Sequence, residues 1–180
     1  DKPVPRETIE RLLDIAAHRH GNGPNFDLIA DIASEAFIPL CYGGGVSTLA
    51  QFERLFTIGI EKVAVNAAAV GDMNLVTQAA RVFGSQSIVV GIDVRRSLFG
   101  RYERHVRSAT VGTKETAVEA AVRAEAAGAG ELMLTSVDRD GTQQGYDLTL
   151  VQEVASAVKV PVIACGGAGS TAHMAQVIKQ

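Results

Sequence analysis

Short runs of branched apolar residues alternate along this chain with longer stretches whose apolar positions recur every three to four residues. The runs at 11–16, 37–42, 62–66, 87–93, 131–136 and 160–165 predict strands. The amphipathic, alanine-rich stretches near 25–35, 48–58, 72–83, 115–127, 148–157 and 170–179 predict helices. Regular alternation of the two predicts βαβ units and a parallel sheet. Residues 5–20 fit an amphipathic helix as well as a strand, and the pattern alone leaves both open.

A long-period echo favours the strand there. Residues 12–45, LLDIAAHRHGNGPNFDLIADIASEAFIPLCYGGG, return in altered form at 132–167, LMLTSVDRDGTQQGYDLTLVQEVASAVKVPVIACGG. His20-Gly21 answers Asp140-Gly141 and Phe26-Asp27-Leu28 answers Tyr146-Asp147-Leu148, each 120 positions later, while Gly44-Gly45 answers Gly166-Gly167 after 122. Such self-similarity marks a duplicated half-fold. Four βα units per repeat give about 30 residues per unit, and eight units make the roughly 250 residues of a (β/α)8 barrel. The expected architecture is therefore one α/β domain over residues 1–180, a (β/α)8 TIM barrel with half-barrel duplication. Only six of its units are visible, so the first and last strands are expected to be missing from the sequence. An open doubly wound sheet is the alternative, but it leaves the repeat unexplained.

Composition narrows the class. Apolar residues make up 47% and aromatics 5% without any Trp, which suits a regular α/β protein. A net charge of −3 argues against a general nucleic-acid footprint. No apolar run approaches the roughly 20 residues that span a bilayer, and two cysteines make no disulfide framework, so a cytoplasmic setting without membrane association is expected. Cys41 and Cys165 end equivalent strands without a nearby histidine, and the four histidines have no ligand spacing; no metal and no cofactor are expected.

Chemistry in such a barrel gathers where strands end. Asp93 closes the run SIVVGID on the same strand face as Val89 and Gly91, where apolar neighbours would raise its pKa and suit it to general acid or base work. The bland reading, a turn cap or a partner for Arg95 or Arg96, stands equally open. Gly43-Gly44-Gly45 and Gly166-Gly167-Ala168-Gly169 each follow a strand and precede a helix beginning near Ser47-Thr48 or Ser170-Thr171. Bare backbone amides there suit phosphate, and two equivalent clusters suit a substrate with a phosphate at each end; glycines that merely turn the chain are the alternative. Asp138-Arg139-Asp140-Gly141-Thr142 reads as a turn or, more weakly, a cation loop. Arg95, Arg96, Arg101, Arg104 and Arg107 in the loop 95–107 either meet phosphate or are simply solvated.

The strings GSQSIVVGIDVRR, GAGELMLTSVDRDGTQQGYD, VPVIACGGAG, CYGGGV, IEKVAVNAAAV and LLDIAA together resemble the HisF family, the cyclase subunits of imidazole glycerol phosphate synthase, over nearly all of residues 10–180. The resemblance implies a (β/α)8 barrel that takes ammonia from a HisH-type glutaminase. It would convert the bis-phosphorylated substrate PRFAR, a phosphoribulosyl formimino carboxamide ribotide, into imidazole glycerol phosphate and the ribotide AICAR in histidine biosynthesis. It implies a catalytic role for Asp93, paired with a first-strand aspartate expected upstream of Asp1. It implies phosphate binding at Gly45 and Asn66 on one side and Gly141 and Gly167 on the other. Asp14, Thr135 and Asp140 match further strand-end residues. Ala67 stands where the family commonly has Thr. Lys62 and Glu131 resemble members of a charged ring that admits ammonia at the opposite rim. Tyr42 and SLFGRYE at 97–103 look closer to HisF paralogues of amidino-sugar synthesis for surface polysaccharides. A HisA-like sugar isomerase and a non-catalytic scaffold that docks a glutaminase are the remaining alternatives.

Overall fold

The computed structural model describes residues 10–13, 23–106 and 111–179. In chain order the elements are β1 (Glu10–Leu13), α1 (Phe26–Glu35), β2 (Leu40–Gly43), α2 (Leu49–Ile58), β3 (Lys62–Val65), α3 (Ala67–Gly71) and α4 (Met73–Phe83). After a 3-10 turn at Ser85–Ser87 come β4 (Ile88–Arg96), β5 (Tyr102–Val106), β6 (Val111–Thr116), α5 (Ala117–Ala126), β7 (Glu131–Ser136), α6 (Leu148–Ala155), β8 (Val162–Cys165) and α7 (Thr171–Val177).

Local chemistry sets these boundaries. Thr48 and Gln51 form a capping box that opens α2, and Gly59 closes it at φ 107°, a conformation that would strain other residues. Thr116 and Glu119 form the same box on α5. Asn25, Asp147 and Ser170 cap α1, α6 and α7 through their side-chain oxygens.

Strands β1, β2, β3, β4, β7 and β8 pair in that order, all parallel. The large apolar residues on one sheet face meet the helices. Tyr42, Val63, Ile88, Val90, Ile92 and Leu134 pack there with Phe52 and Leu55 of α2, Val76 of α4, four alanines of α5 and Leu150 of α6. Burying each large side chain of this set is worth about 1.5–3 kcal/mol. Phe83 lies 4.8 Å from Phe56, centroid to centroid, and locks α4 against α2. The other face carries a separate cluster drawn only from strands: Cys41, Ala64, Val89 and Met133, with Cys165 against them. Helices on a single face of a curled parallel sheet make a (β/α) barrel fold; a doubly wound sheet would cover both faces.

Three expectations need correction. The predicted strand 87–93 runs on to Arg96. The loop expected over 95–107 is instead largely β-structure, with β5 antiparallel to β4 and β6 antiparallel to β5, so the helix predicted from 115 begins at Ala117. Second, α3 was not foreseen from the pattern. Third, the strand predicted at 37–42 forms at Leu40–Gly43, leaving Phe37 and Ile38 exposed. Of the strand predicted at 11–16, residues 11–13 lie in β1 and the rest lie outside the described residues.

Candidate active site at the carboxyl ends of the strands

Strand alternation places Lys62, Ala64 and Asn66 on the inner face of the β3 line, Val89, Gly91 and Asp93 on that of β4, and Glu131, Met133 and Thr135 on that of β7. The three lines stack in layers. Lys62 and Glu131 form an ion pair at the amino ends, reaching each other across β4, and both side chains are largely buried. Ala64, Val89 and Met133 fill the middle. Asn66, Asp93 and Thr135 meet at the carboxyl ends.

Asp93 is the centre of that upper layer. Asn66 donates from Nδ2 to Asp93 Oδ2 at 3.0 Å, and the Thr135 hydroxyl donates to the same carboxylate from the paired position on β7. Gly91 makes the first contact possible: a Cβ there would lie 3.2 Å from Asn66 Cβ. Burial pushes the Asp93 carboxyl above the usual carboxylate range, more than the Asn66 and Thr135 bonds and the Arg104 charge pull it down, and the Asp140 charge adds to the rise. Neither Arg95 nor Arg96 serves Asp93 as its partner in the geometry: both are exposed, and the Arg96 amide donates to Asp138 Oδ2 at 2.8 Å. Asn66 Oδ1 is buried without a hydrogen-bond partner among the described residues, an acceptor waiting beside the carboxylate.

Arg104 departs from the solvated reading. Its side chain is fully buried, donating to Glu115 Oε2 and to the Gly91 carbonyl, each at 3.3 Å. Sequence pattern missed it because a charged position in YERHV gives no apolar signal; its counter-charge, Glu115, comes from another strand.

The glycine clusters divide. Gly44 and Gly45 have φ of 146° and 65°, and the Ser47 and Thr48 amides are taken by Gln51 Oε1 at 2.7 and 3.1 Å. Gly141 has φ 73° with open space where a Cβ would stand. Gly167 is different: a Cβ there would lie 2.2 Å from the Gly145 carbonyl oxygen, so close packing of the β7 and β8 loops itself demands glycine. Asp140 is exposed on the β7 loop, and Thr142 Oγ1 donates to the Arg139 carbonyl at 2.7 Å, holding that loop as a turn. Asp14 lies outside the described residues. Tyr42 belongs to the helix-side core, its hydroxyl donating to the Gly44 carbonyl at 3.1 Å. A cleft of about 370 Å³ lies elsewhere, between Arg101, Tyr102, Val118 and Glu153 on the outside of the hairpin, and is no part of the Asp93 layer. No described helix is long and apolar enough to cross a membrane. Among the described residues, no three His, Cys, Asp or Glu side chains are grouped to hold a metal ion.

Comparison with known proteins agrees with this layout. A family model described as "Histidine biosynthesis protein" matches residues 8–180. A Pseudomonas aeruginosa protein, provisionally named imidazole glycerol phosphate synthase subunit hisF2, is 47% identical over 94% of the chain and 67% of its own length. Imidazole glycerol phosphate synthase subunits HisF from Alkaliphilus metalliredigens and Bacillus cereus are 43% and 42% identical, over 91% and 94% of the chain and 65% and 67% of their own lengths. The chain thus spans about two thirds of these relatives. With one barrel layout, one family model and these relatives in agreement, the chain belongs to the histidine biosynthesis protein family, as a HisF-like member of it.

Proposed function

We propose that this chain is the barrel of an ammonia-dependent cyclase-lyase that converts PRFAR, with ammonia from a HisH-type glutaminase, into imidazole glycerol phosphate and AICAR. The observation that carries the reading is the layering of one strand face: an ion pair at the amino ends, uncharged apolar side chains between, and a half-buried carboxyl at the carboxyl ends. Ammonia would enter past Lys62 and Glu131 and move between Ala64, Val89 and Met133 toward Asp93. There it attacks the ketose carbonyl of the substrate. A carboxyl whose burial favours its protonated form can pass a proton to the departing oxygen, which leaves as water, and take one back as the ring closes and AICAR is released. Asn66 and Thr135 fix the carboxyl for both steps. Gly45 with Asn66, and Gly141 with Gly167, would take the two phosphates, with Asp140 and Asp14 beside the substrate.

A second reading is an amidino-sugar paralogue, favoured by the likeness of Tyr42 and SLFGRYE at 97–103 to HisF paralogues of that synthesis. The intact protein, given PRFAR and an ammonium salt at pH above 8, should consume PRFAR and release AICAR. Consumption only with a sugar precursor would select the paralogue, isomerisation without ammonia a HisA-like enzyme, and inertness with glutaminase binding a docking scaffold.

A further inference from the structure

We propose that Arg104 is a positioning residue for Asp93: held by Glu115, which Arg123 anchors in turn, it clamps β4 at the Gly91 carbonyl, two residues before the carboxylate. The proposal rests on the reading of Asp93 as the acid–base group.

The geometry begins at a fork in the sheet. β4 pairs with β3 up to Val90 and with β5 from Asp93 onward. Between these pairings one edge of β4 loses its strand partner, and a buried carbonyl left there would lack an acceptor's complement. Arg104 fills the fork, its Nη2 donating to the Gly91 oxygen at 3.3 Å. Gly91 is thereby pinned twice, by Asn66 lying against it and by Arg104 at the fork. Asp93 follows two residues later.

The charge balance points the same way. A fully buried guanidinium is costly unless anions surround it. Glu115 is its nearest anion, but Glu115 is already engaged by Arg123, which donates from Nε at 2.6 Å and Nη2 at 2.8 Å. Two cations therefore share one carboxylate, and the charge of Asp93, two residues beyond the Gly91 carbonyl that Arg104 holds, acts on Arg104 through space. Arg104 Nε is buried without a hydrogen-bond partner among the described residues, so hydrogen bonding leaves its charge incompletely matched. Arg123, Glu115 and Arg104 thus alternate in sign from the α5 surface to the β4 backbone at Gly91, two residues from Asp93.

Around Asp93 stand Asn66 from β3, Thr135 from β7, the cross-strand neighbour His105 from β5 and Asp140 from the β7 loop, while Arg104, paired with Val94, reaches β4 from the helix side at the Gly91 carbonyl. Only Arg104 among these is both buried and permanently charged.

The test is a carbon-detected NMR titration of the Asp93 carboxyl in the intact protein, assigned with D93N, in wild type, R104M, R104K and E115Q. Removing the cation in R104M should move the Asp93 midpoint upward by about one pH unit, and R104K should bring it back. E115Q should move it downward, because the Arg104 charge then lacks its anion. A merely structural role would shift R104M and E115Q in the same direction, and either that result or an unmoved midpoint in folded R104M overturns the proposal. Should R104M not fold, the opposite displacement in E115Q with an unmoved R104K decides alone, and its absence is equally fatal. A shifted midpoint together with a wild-type protein that shows no cyclase turnover would keep the Arg104 coupling and remove the cyclase reading instead.

Discussion

Asn66 lies against Gly91 and donates to Asp93, so one asparagine ties the end of β3 to the candidate acid–base group on β4. The contact depends on an absent side chain. G91A would place a Cβ 3.2 Å from Asn66 Cβ and force the asparagine away. Overpacking of this kind costs about 1–3 kcal/mol. Urea unfolding of G91A, N66G and the double variant should show a smaller cost for G91A once the Asn66 side chain and its Cβ are gone; equal costs would mean that the two residues do not press on each other.

The pH dependence of Asp93 has a definite sign. Burial raises its pKa above the ordinary value of 3.8, so the folded protein binds this proton more tightly than the unfolded chain does. Stability contributed by that proton is present below 3.8 and is lost as pH rises through the raised pKa. D93N should accordingly be at least as stable as wild type at pH 7 and lose its advantage at about pH 3. Unfolding curves at the two values check this, and a D93N protein clearly less stable at pH 7 would contradict it.

Glu115 runs the other way. Burial alone would raise its pKa, but hydrogen bonds and charges from Arg123 and then Arg104 hold it below the ordinary 4.5. Its contribution is full above pH 4.5 and is lost as pH falls through the depressed value. E115Q should therefore be less stable by about 3 kcal/mol at pH 7, since it leaves Arg104 buried without its nearest anion. The deficit should shrink in acid. A deficit that stays constant down to pH 2 would show that the carboxylate charge is not what stabilises.

The two glycines assigned to one phosphate should respond differently. G167A drives a Cβ to 2.2 Å from a backbone oxygen at φ 98°, and no side chain can give way there. It should unfold or lose more than about 3 kcal/mol whatever the substrate. G141A meets nothing within 4 Å and bears only the left-handed strain of about 1–2 kcal/mol. If Gly141 holds phosphate, G141A should weaken substrate binding about tenfold in calorimetry while staying folded; unchanged affinity would remove it from the site.

How much of this was open to sequence follows from where each signal lies. Alternation within KVAVN and ELMLTS is legible without the fold and sets Asn66 on the face of Lys62 and Thr135 on that of Glu131, because parity in a strand needs no knowledge of its neighbours. Helix starts were legible at Thr48 and Ser170, whose capping chemistry is local. The β5–β6 hairpin was not legible, since its buried member is an arginine satisfied by residues from other elements. Nor did the glycines at 141 and 167 announce that one faces open space while the other is wedged against Gly145; that difference exists only between loops.

The measurement that bears most directly on Asp93 is ammonium-dependent PRFAR turnover by wild type and D93N of the intact protein, with substrate affinity measured on both. Loss of general acid–base help should lower kcat by about 10²–10⁴-fold while affinity stays within a few-fold. A D93N enzyme that turns over at the wild-type rate would show that this carboxyl, however well placed, takes no part in the chemistry.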